Sequence, residues 1–116
     1  MAQLYRHLTG SADDDVEYKV TFNRRNRTNA PTFVKSMILC NTSASRVTFE
    51  VYLREYTSRN VVAATYYLLK NIAIDPGVTV NAFADLGDVH YSPRYNIYIK
   101  IDGGITNTLD LTLSYE

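Results

Sequence analysis

The feature that most constrains the fold of this chain is a two-residue repeat in its hydrophobicity. In residues 46–56 apolar and polar positions alternate, and the apolar set comprises Val47, Phe49, Val51 and Leu53. Residues at every second position share one face of a β-strand, so this pattern predicts a strand with one buried face. No window carries a comparable stripe at helical spacing. We therefore expect an all-β protein.

Turn-forming residues divide the chain into about seven such strands. The predicted strands span residues 16–22, 32–41, 46–56, 62–70, 78–83, 95–101 and 109–115. We expect two hairpins, one formed by residues 46–56 with 62–70 and one by the last two strands across Gly103 and Gly104. Strands at this spacing predict an antiparallel β-sandwich of about seven to eight strands, immunoglobulin-like or jelly-roll, and periodicity does not decide between the two topologies.

The N-terminal residues differ in kind from this sandwich. Tyr5 and Leu8 are isolated apolar residues, and they are followed by a short acidic stretch. We expect residues 1–15 to form an arm or extension whose apolar side chains are covered by another chain, and residues 16–116 to form a single β-sandwich domain. The alternative is a frayed tail.

Composition excludes several classes of protein. Twelve basic and twelve acidic residues give a formal net charge of zero, whereas nucleic-acid binders carry a basic excess. We therefore expect no sequence-specific nucleic-acid partner. Cys40 is the single cysteine, so no intrachain disulfide can form. The sequence contains no apolar run of the kind found in signal peptides or membrane spans, so we expect no membrane association and synthesis in a cytoplasm.

The sequence offers no constellation for catalysis or metal binding. The two histidines, His7 and His90, stand near no nucleophile signature. Asp85, Asp88 and His90 would supply three metal ligands only if their loop folded back, and nothing in their spacing specifies that geometry. We therefore expect no catalytic residue, no cofactor, no metal and no enzyme.

Charged loops and tyrosines are the candidate interface residues. Asp13, Asp14 and Asp15 form an acidic patch, and Arg24, Arg25 and Arg27 form a basic one that suits an acidic partner, although a solvated loop is the alternative. The chain has ten tyrosines, of which Tyr52, Tyr56, Tyr66 and Tyr98 are predicted to lie partly exposed on outer faces or near strand ends. Cross-strand aromatic pairing is the competing interpretation, and a sugar-binding platform is a third. With Tyr5 and Leu8, these residues complete the predicted interface set.

Three segments resemble the small virion structural proteins of tailed bacteriophages. They are residues 38–43 (ILCNTS), 47–53 (VTFEVYL) and 66–77 (YYLLKNIAIDPG), within a resemblance that covers residues 36–116. In those proteins an apolar strand ends in a similar turn, a "V-x-V-x-L" strand follows, and a "YYLLKNI"-like segment leads into the next sheet edge. The matching motifs contain strand and turn residues and no catalytic residue.

The resemblance implies a β-sandwich subunit of a phage particle. The leading expectation is a capsid cement or decoration protein that binds and bridges capsid subunits, with the major capsid protein or other virion proteins as partners, further copies of itself in a homo-oligomer, and the virion as its location. A neck or tail component is the alternative within the virion. A carbohydrate-binding β-sandwich module is the alternative from a different class.

Overall fold

The chain is all-β in its computed structural model, which describes residues 2–10, 15–20, 32–57, 59, 61–84, 86–91, 95–102 and 107–116. The described residues form nine strands: β1 (Ala2–Thr9), β2 (Val16–Lys19), β3 (Thr32–Asn41), β4 (Val47–Tyr56), β5 (Val62–Ile74), β6 (Thr79–Asn81), β7 (Val89–Tyr91), β8 (Tyr95–Ile101) and β9 (Thr108–Tyr115). No helix long and apolar enough to cross a membrane occurs in this described part of the chain.

The strands form two antiparallel sheets. One sheet has the order β1-β9-β3-β6, with β7 also paired to β3, and the other has the order β2-β8-β4-β5. The pairing is nested: β1 pairs with β9, β2 with β8, β3 with β6 and β7, and β4 with β5. A chain folded into one long hairpin and then rolled into two sheets gives this order. The sandwich therefore has jelly-roll connectivity, which decides between the two expected topologies.

One of the two predicted hairpins is confirmed and the other is wrong. β4 and β5 pair along their length, as expected. β8 pairs with β2 and β4, however, while β9 pairs with β1 and β3, so the last two strands lie in opposite sheets. The physical reason is that alternation specifies a buried face without specifying a sheet, and a sandwich core is made by two such faces opposite each other. Gly103 and Gly104 lie outside the described residues.

The core fills the space between the sheets with side chains from the inward faces. The central strands supply most of it: Val34, Met37 and Leu39 from β3; Val47, Phe49 and Val51 from β4; Ile97, Ile99 and Ile101 from β8; and Leu109, Leu111 and Leu113 from β9. In β4, β8 and β9 these are the alternating positions that the sequence pattern assigned to a buried face, whereas β3 has a register shift between Val34 and Ser36. The burial of aliphatic and aromatic area between two sheets is the main stabilising term of such a fold.

The N-terminal residues belong to the sandwich, which corrects the expectation of an arm. Ala2–Thr9 form β1 and pair residue by residue with β9. Leu8 is buried in the common core and Leu4 packs against it, so the cover for these side chains comes from the same chain. Arg6 occupies the intervening inward position and donates a hydrogen bond to the Tyr18 hydroxyl at 2.9 Å. A charged residue in the middle of the strand interrupts its alternation, which is why the pattern was missed.

Two turns match their sequence signals. Gly77 has a positive φ of 74° at the third position of the turn from Asp75, and the Val78 N–H donates to the Asp75 carbonyl at 3.1 Å. Asn41 is buried at the end of β3, where its side-chain nitrogen donates to the carbonyls of Ser45 and Ile74 at 2.8 Å each. The amide of Asn41 thus fixes the turn after β3 against the end of β5.

Candidate functional site

The described residues contain no group of three or more His, Cys, Asp or Glu side chains placed to hold a metal ion. The His7 imidazole Nδ1 lies 2.6 Å from Asp110 Oδ1 on the exposed face of the first sheet. Asp85 and the side chain of His90 lie outside what the structure describes, while Asp88 accepts a hydrogen bond from Lys35 Nζ at 2.5 Å. The candidate surfaces lie on the β2-β8-β4-β5 sheet and on β1.

An aromatic cluster covers the outer face of the second sheet. Tyr52 of β4 and Tyr98 of β8 are opposite each other in the ladder, and their rings stack with centroids 5.7 Å apart and an interplanar angle of 10°. The Arg54 guanidinium carbon lies 5.2 Å from the Tyr52 centroid and 4.7 Å from the Tyr98 centroid. A guanidinium at these distances from two ring faces makes favourable cation–π contacts.

Glu17 of β2 completes this cluster from across the sheet. Arg54 Nη1 donates to Glu17 Oε1 at 2.6 Å, and Arg54 Nη2 donates to Glu17 Oε2 at 2.8 Å. The Tyr52 hydroxyl donates to the same carboxylate. Such a bidentate, charge-assisted pair has the strongest hydrogen-bonding geometry that side chains form. It ties the short strand β2 to β4 over the intervening strand β8.

The tyrosine hydroxyls in the cluster are held in their protonated form. Burial, followed by a hydrogen bond with Tyr56, raises the pKa of Tyr98 to about 12. Burial also raises the pKa of Tyr52, and the hydrogen bond to Glu17 adds to that shift. Both phenols lose more by ionising in this environment than they would in water.

The exposure expected for two of the tyrosines is corrected by this geometry. Tyr52 is only 2% exposed and Tyr98 only 6%, because each lies on a central strand and is covered by its ladder neighbours and by Arg54. Cross-strand aromatic packing, the competing interpretation, describes these two residues. Tyr56 is half-buried and shares a hydrogen bond with the Tyr98 hydroxyl. Tyr66, in contrast, is 50% exposed.

Edge strand β5 carries an exposed apolar surface. Ten large apolar side chains of the described residues are exposed. Five of them lie in the twelve residues 61–72, along β5 and directly before it. We call these five the β5 surface: Val61, Val62, Tyr66, Tyr67 and Ile72. The Tyr67 ring, also 50% exposed, contacts Tyr52 at 5.4 Å on one side and lies 4.7 Å from Lys70 Nζ on the other. Tyr67 lies opposite the outward Tyr52 and Tyr66 opposite the inward Leu53, so the β5 surface covers both faces of this edge strand. Clustered exposure of apolar side chains is a feature of interaction sites.

A polar groove of about 410 Å³ lies next to the aromatic cluster. Its lining includes the exposed Tyr67, the Arg54–Glu17 pair, and Lys100 with Asp15, whose Nζ and Oδ2 atoms are 3.5 Å apart. An exposed ring beside several charged hydrogen-bonding groups is an arrangement that can hold a small polar ligand.

The remaining interface candidates divide into three groups. Tyr5 is 61% exposed on the outer face of β1, whereas Leu8 is buried. Asp15 is exposed and forms an ion pair with Lys100. Asp13, Asp14, Arg24, Arg25 and Arg27 lie outside the described residues, so the predicted pairing of acidic and basic loops stays a prediction.

Sequence reasoning missed three residues of this region: Glu17, Arg54 and Tyr67. Arg54 follows Tyr52 by two positions on the same strand face, so it was open to prediction from the alternation. Tyr67 was not, because it adjoins Tyr66 and neighbouring residues of a strand lie on opposite faces. Glu17 carried no such signal, because its partner is 37 residues away in sequence.

Neither a protein-family model nor a curated protein matches the sequence. Three similar solved structures are a crystal structure of PirA (TM-score 0.45, 10% identity, 98% of this chain and 93% of that one), infectious bursal disease virus Gx strain (0.42, 6%, 99% and 36%) and an infectious bursal disease virus VP2 subviral particle (0.40, 7%, 96% and 32%). The chain thus spans about a third of each viral chain. Similarity at this level assigns no function.

Proposed function

We propose that this chain is a non-enzymatic structural protein of a bacteriophage virion, specifically a cement or decoration protein that binds capsid subunits and bridges them. The observation that carries the proposal is the jelly-roll connectivity of the sandwich. Viral capsid domains are one of the main groups built on this connectivity, which makes the argument one of fold analogy. The resemblance of residues 36–116 to phage virion proteins supports the same class from the sequence.

The β5 surface is the proposed contact with the capsid. It combines uncharged aliphatic side chains with two tyrosines that are each half exposed. Tyrosine is enriched in the cores of protein interfaces, and charged residues are depleted there. The ladder between β4 and β5 has three register shifts, so the outer edge of β5 is irregular and suits side-chain packing better than strand addition. A cement protein of this kind stabilises a shell by burying the same small surface at many symmetry-related positions.

Copy number in purified particles of the encoding phage tests the proposal. A cement protein is present in a number of copies comparable to the major capsid protein, as measured by quantitative mass spectrometry of the particles. Absence from the particle contradicts a virion role altogether. A handful of copies contradicts the cement role and favours the neck or tail alternative.

A matched pair of variants tests the contact surface. Val62→Glu places a charge in the β5 surface, whereas Leu86→Glu places one at an exposed apolar residue elsewhere. We expect Val62→Glu to abolish rebinding to particles that lack the protein, and Leu86→Glu to rebind like the unmodified chain. Equal rebinding of both variants contradicts the assignment of β5.

A carbohydrate-binding module is a second candidate because of the polar groove beside Tyr67. Sugar-binding lectins also use jelly-roll sandwiches, and the groove combines an exposed ring with charged hydrogen-bonding groups. Binding on a glycan array that is lost in Tyr67→Ala supports this candidate. An array without binding removes it.

A further inference from the structure

Among the outer strands of the two sheets, β1 is the one whose ladder with its neighbour is both long and regular. β2 has four residues, and β6 and β7 have three each. β5 is long, but its ladder with β4 shifts register three times. β1 pairs with β9 over eight consecutive residues with no irregularity, and its other edge pairs with no strand among the described residues. Shortness and bulges are two of the means by which proteins prevent an edge strand from pairing, and β1 has neither; the one such device it carries is the charged Arg6 at an inward position.

The backbone groups that β1 offers at its free edge follow from its pairing. The Gly10 N–H donates to the Asn107 carbonyl at 2.7 Å, which continues the ladder of β1 with β9. Hydrogen-bonded and non-hydrogen-bonded pairs alternate in an antiparallel ladder, so even-numbered residues of β1 bond to β9. The N–H and C=O groups of the odd-numbered residues Gln3, Tyr5 and His7 therefore point to the free edge. The Tyr5 carbonyl there accepts a hydrogen bond from Arg6 Nη1 at 3.2 Å, which leaves its second lone pair for an incoming strand.

We propose that β1 pairs antiparallel with β1 of a second copy, about a two-fold axis at Tyr5. In such a pair odd-numbered residues must lie opposite odd-numbered ones, so the axis passes through a residue and not between two residues. An axis near the middle of the strand aligns the most residues. An axis at Arg6 places two guanidinium groups directly opposite each other, which is destabilising. An axis at Leu4 aligns only five residues, Ala2 to Arg6.

An axis at Tyr5 avoids both problems. It aligns Ala2 to Leu8 with the same segment of the copy, places Arg6 opposite Leu4, and places His7 opposite Gln3. Tyr5 then lies opposite its own counterpart, and it is the most exposed large apolar side chain of the described residues, at 61%. Facing aromatic residues form one of the more favourable cross-strand pairs.

The paired copies present their β5 surfaces on opposite sides. The hydrogen bond from Arg6 to the Tyr18 hydroxyl shows that β1 and β2 lie at the same side of the sandwich, and β5 is the last strand at the other end of its sheet. The inference goes beyond the proposed virion role, because it concerns the pairing of the purified chain with its own copy. It stands or falls independently of that role.

Cysteine cross-linking tests the proposed register. In the hydrogen-bonded pair at the axis the two Tyr5 Cα atoms are about 5.5 Å apart, which a disulfide can span. With Cys40→Ser as background, we expect Tyr5→Cys to form a covalent dimer under mild oxidation. His7→Cys is the matched control: each His7 lies four residues, about 13 Å, from its counterpart along the pair, so we expect no cross-link.

Sedimentation measurements supply the readout of association. We expect the purified chain to have twice its monomer mass of 13.2 kDa. A species of 13.2 kDa at every concentration overturns the proposal. So does a dimer in which Tyr5→Cys fails to cross-link, or one in which His7→Cys cross-links equally well.

A charge-exchange experiment tests the same contact without cysteine. Tyr5→Lys and Tyr5→Asp each place two like charges at the axis, and we expect each to raise the dimer dissociation constant by about tenfold, equivalent to about 1.4 kcal/mol. An equimolar mixture of the two variants should recover dimers, because the axis then joins opposite charges. If the mixture remains as dissociated as the separate variants, Tyr5 does not face its counterpart.

Discussion

The bond between Glu17 and Arg54 gives the sharpest test of how this sandwich is held together. Glu17→Gln keeps the size of the side chain and removes its charge. The amide retains one acceptor oxygen, whereas the carboxylate accepts from both Arg54 nitrogens and from the Tyr52 hydroxyl. The substitution therefore leaves at least one donor beside an amide nitrogen, and Tyr52 has almost no access to water as a substitute.

The expected cost follows from burial and from the number of bonds. The Arg54 and Glu17 side chains are 29% and 32% exposed, so water screens them only partly. Hydrogen bonds to charged groups contribute about 1.5–3 kcal/mol each, and a half-buried network that keeps some of its bonds should lose about 2 kcal/mol. For a domain of this size that loss lowers the Tm by about 8 °C.

Asp75→Asn is the matched control for this substitution. Asp75 Oδ1 accepts from Arg46 Nε at 2.7 Å, but the Arg46 and Asp75 side chains are 67% and 60% exposed. Exposed pairs contribute about 0–1 kcal/mol, so we expect a loss below about 0.5 kcal/mol. Asparagine also suits the first position of the turn.

Urea unfolding of both variants measures the difference. We expect Glu17→Gln to lower the midpoint with an unchanged m-value, and Asp75→Asn to coincide with the unmodified chain. The reasoning is refuted if both variants lose the same free energy of unfolding, or if Glu17→Gln loses less than about 0.5 kcal/mol. Either result means that the cluster does not tie β2 to β4.

Two further predictions concern the tyrosines and β1. The pKa of Tyr98 is raised to about 12 and that of Tyr52 is also raised, above an unfolded value near 10. Their contribution to stability is therefore complete below about pH 10 and is lost as the pH rises through about 12; alkaline unfolding followed by tyrosinate absorbance should be late and cooperative, and early titration of all phenols contradicts it. Leu8→Ala should lower the free energy of unfolding by about 2–5 kcal/mol in urea, since it removes a core side chain, whereas a freely projecting arm gives no loss.

The buried faces of the sandwich could be predicted from the sequence because burial has a local signature. Phe49 and Ile99 each lie within an alternating run, and both are in the core. Strand pairing has no such signature. β8 and β9 look like a hairpin by their alternation, yet each satisfies its buried face by packing against the other sheet.

The candidate surfaces were harder to predict, because exposure depends on neighbours that are distant in sequence. Tyr52 lies in an alternating run and Tyr67 in an unbroken apolar one, but the difference in exposure has another cause: Tyr52 lies on a central strand under Arg54, while Tyr67 lies on an edge. The residue type is the same at the two positions. Only the strand order separates the buried ring from the exposed one.

The irregular ladder of β5 has a consequence for the growth of assemblies. A chain with regular outer strands at both ends of its sheets could add a new copy at each end, and repeated addition would produce an open fibre. Here the register shifts leave the outer edge of β5 a poor template for an incoming strand, while β1 offers a good one. Under the pairing proposed for β1, association through backbone pairing closes after two chains, and strand addition does not continue into a fibre.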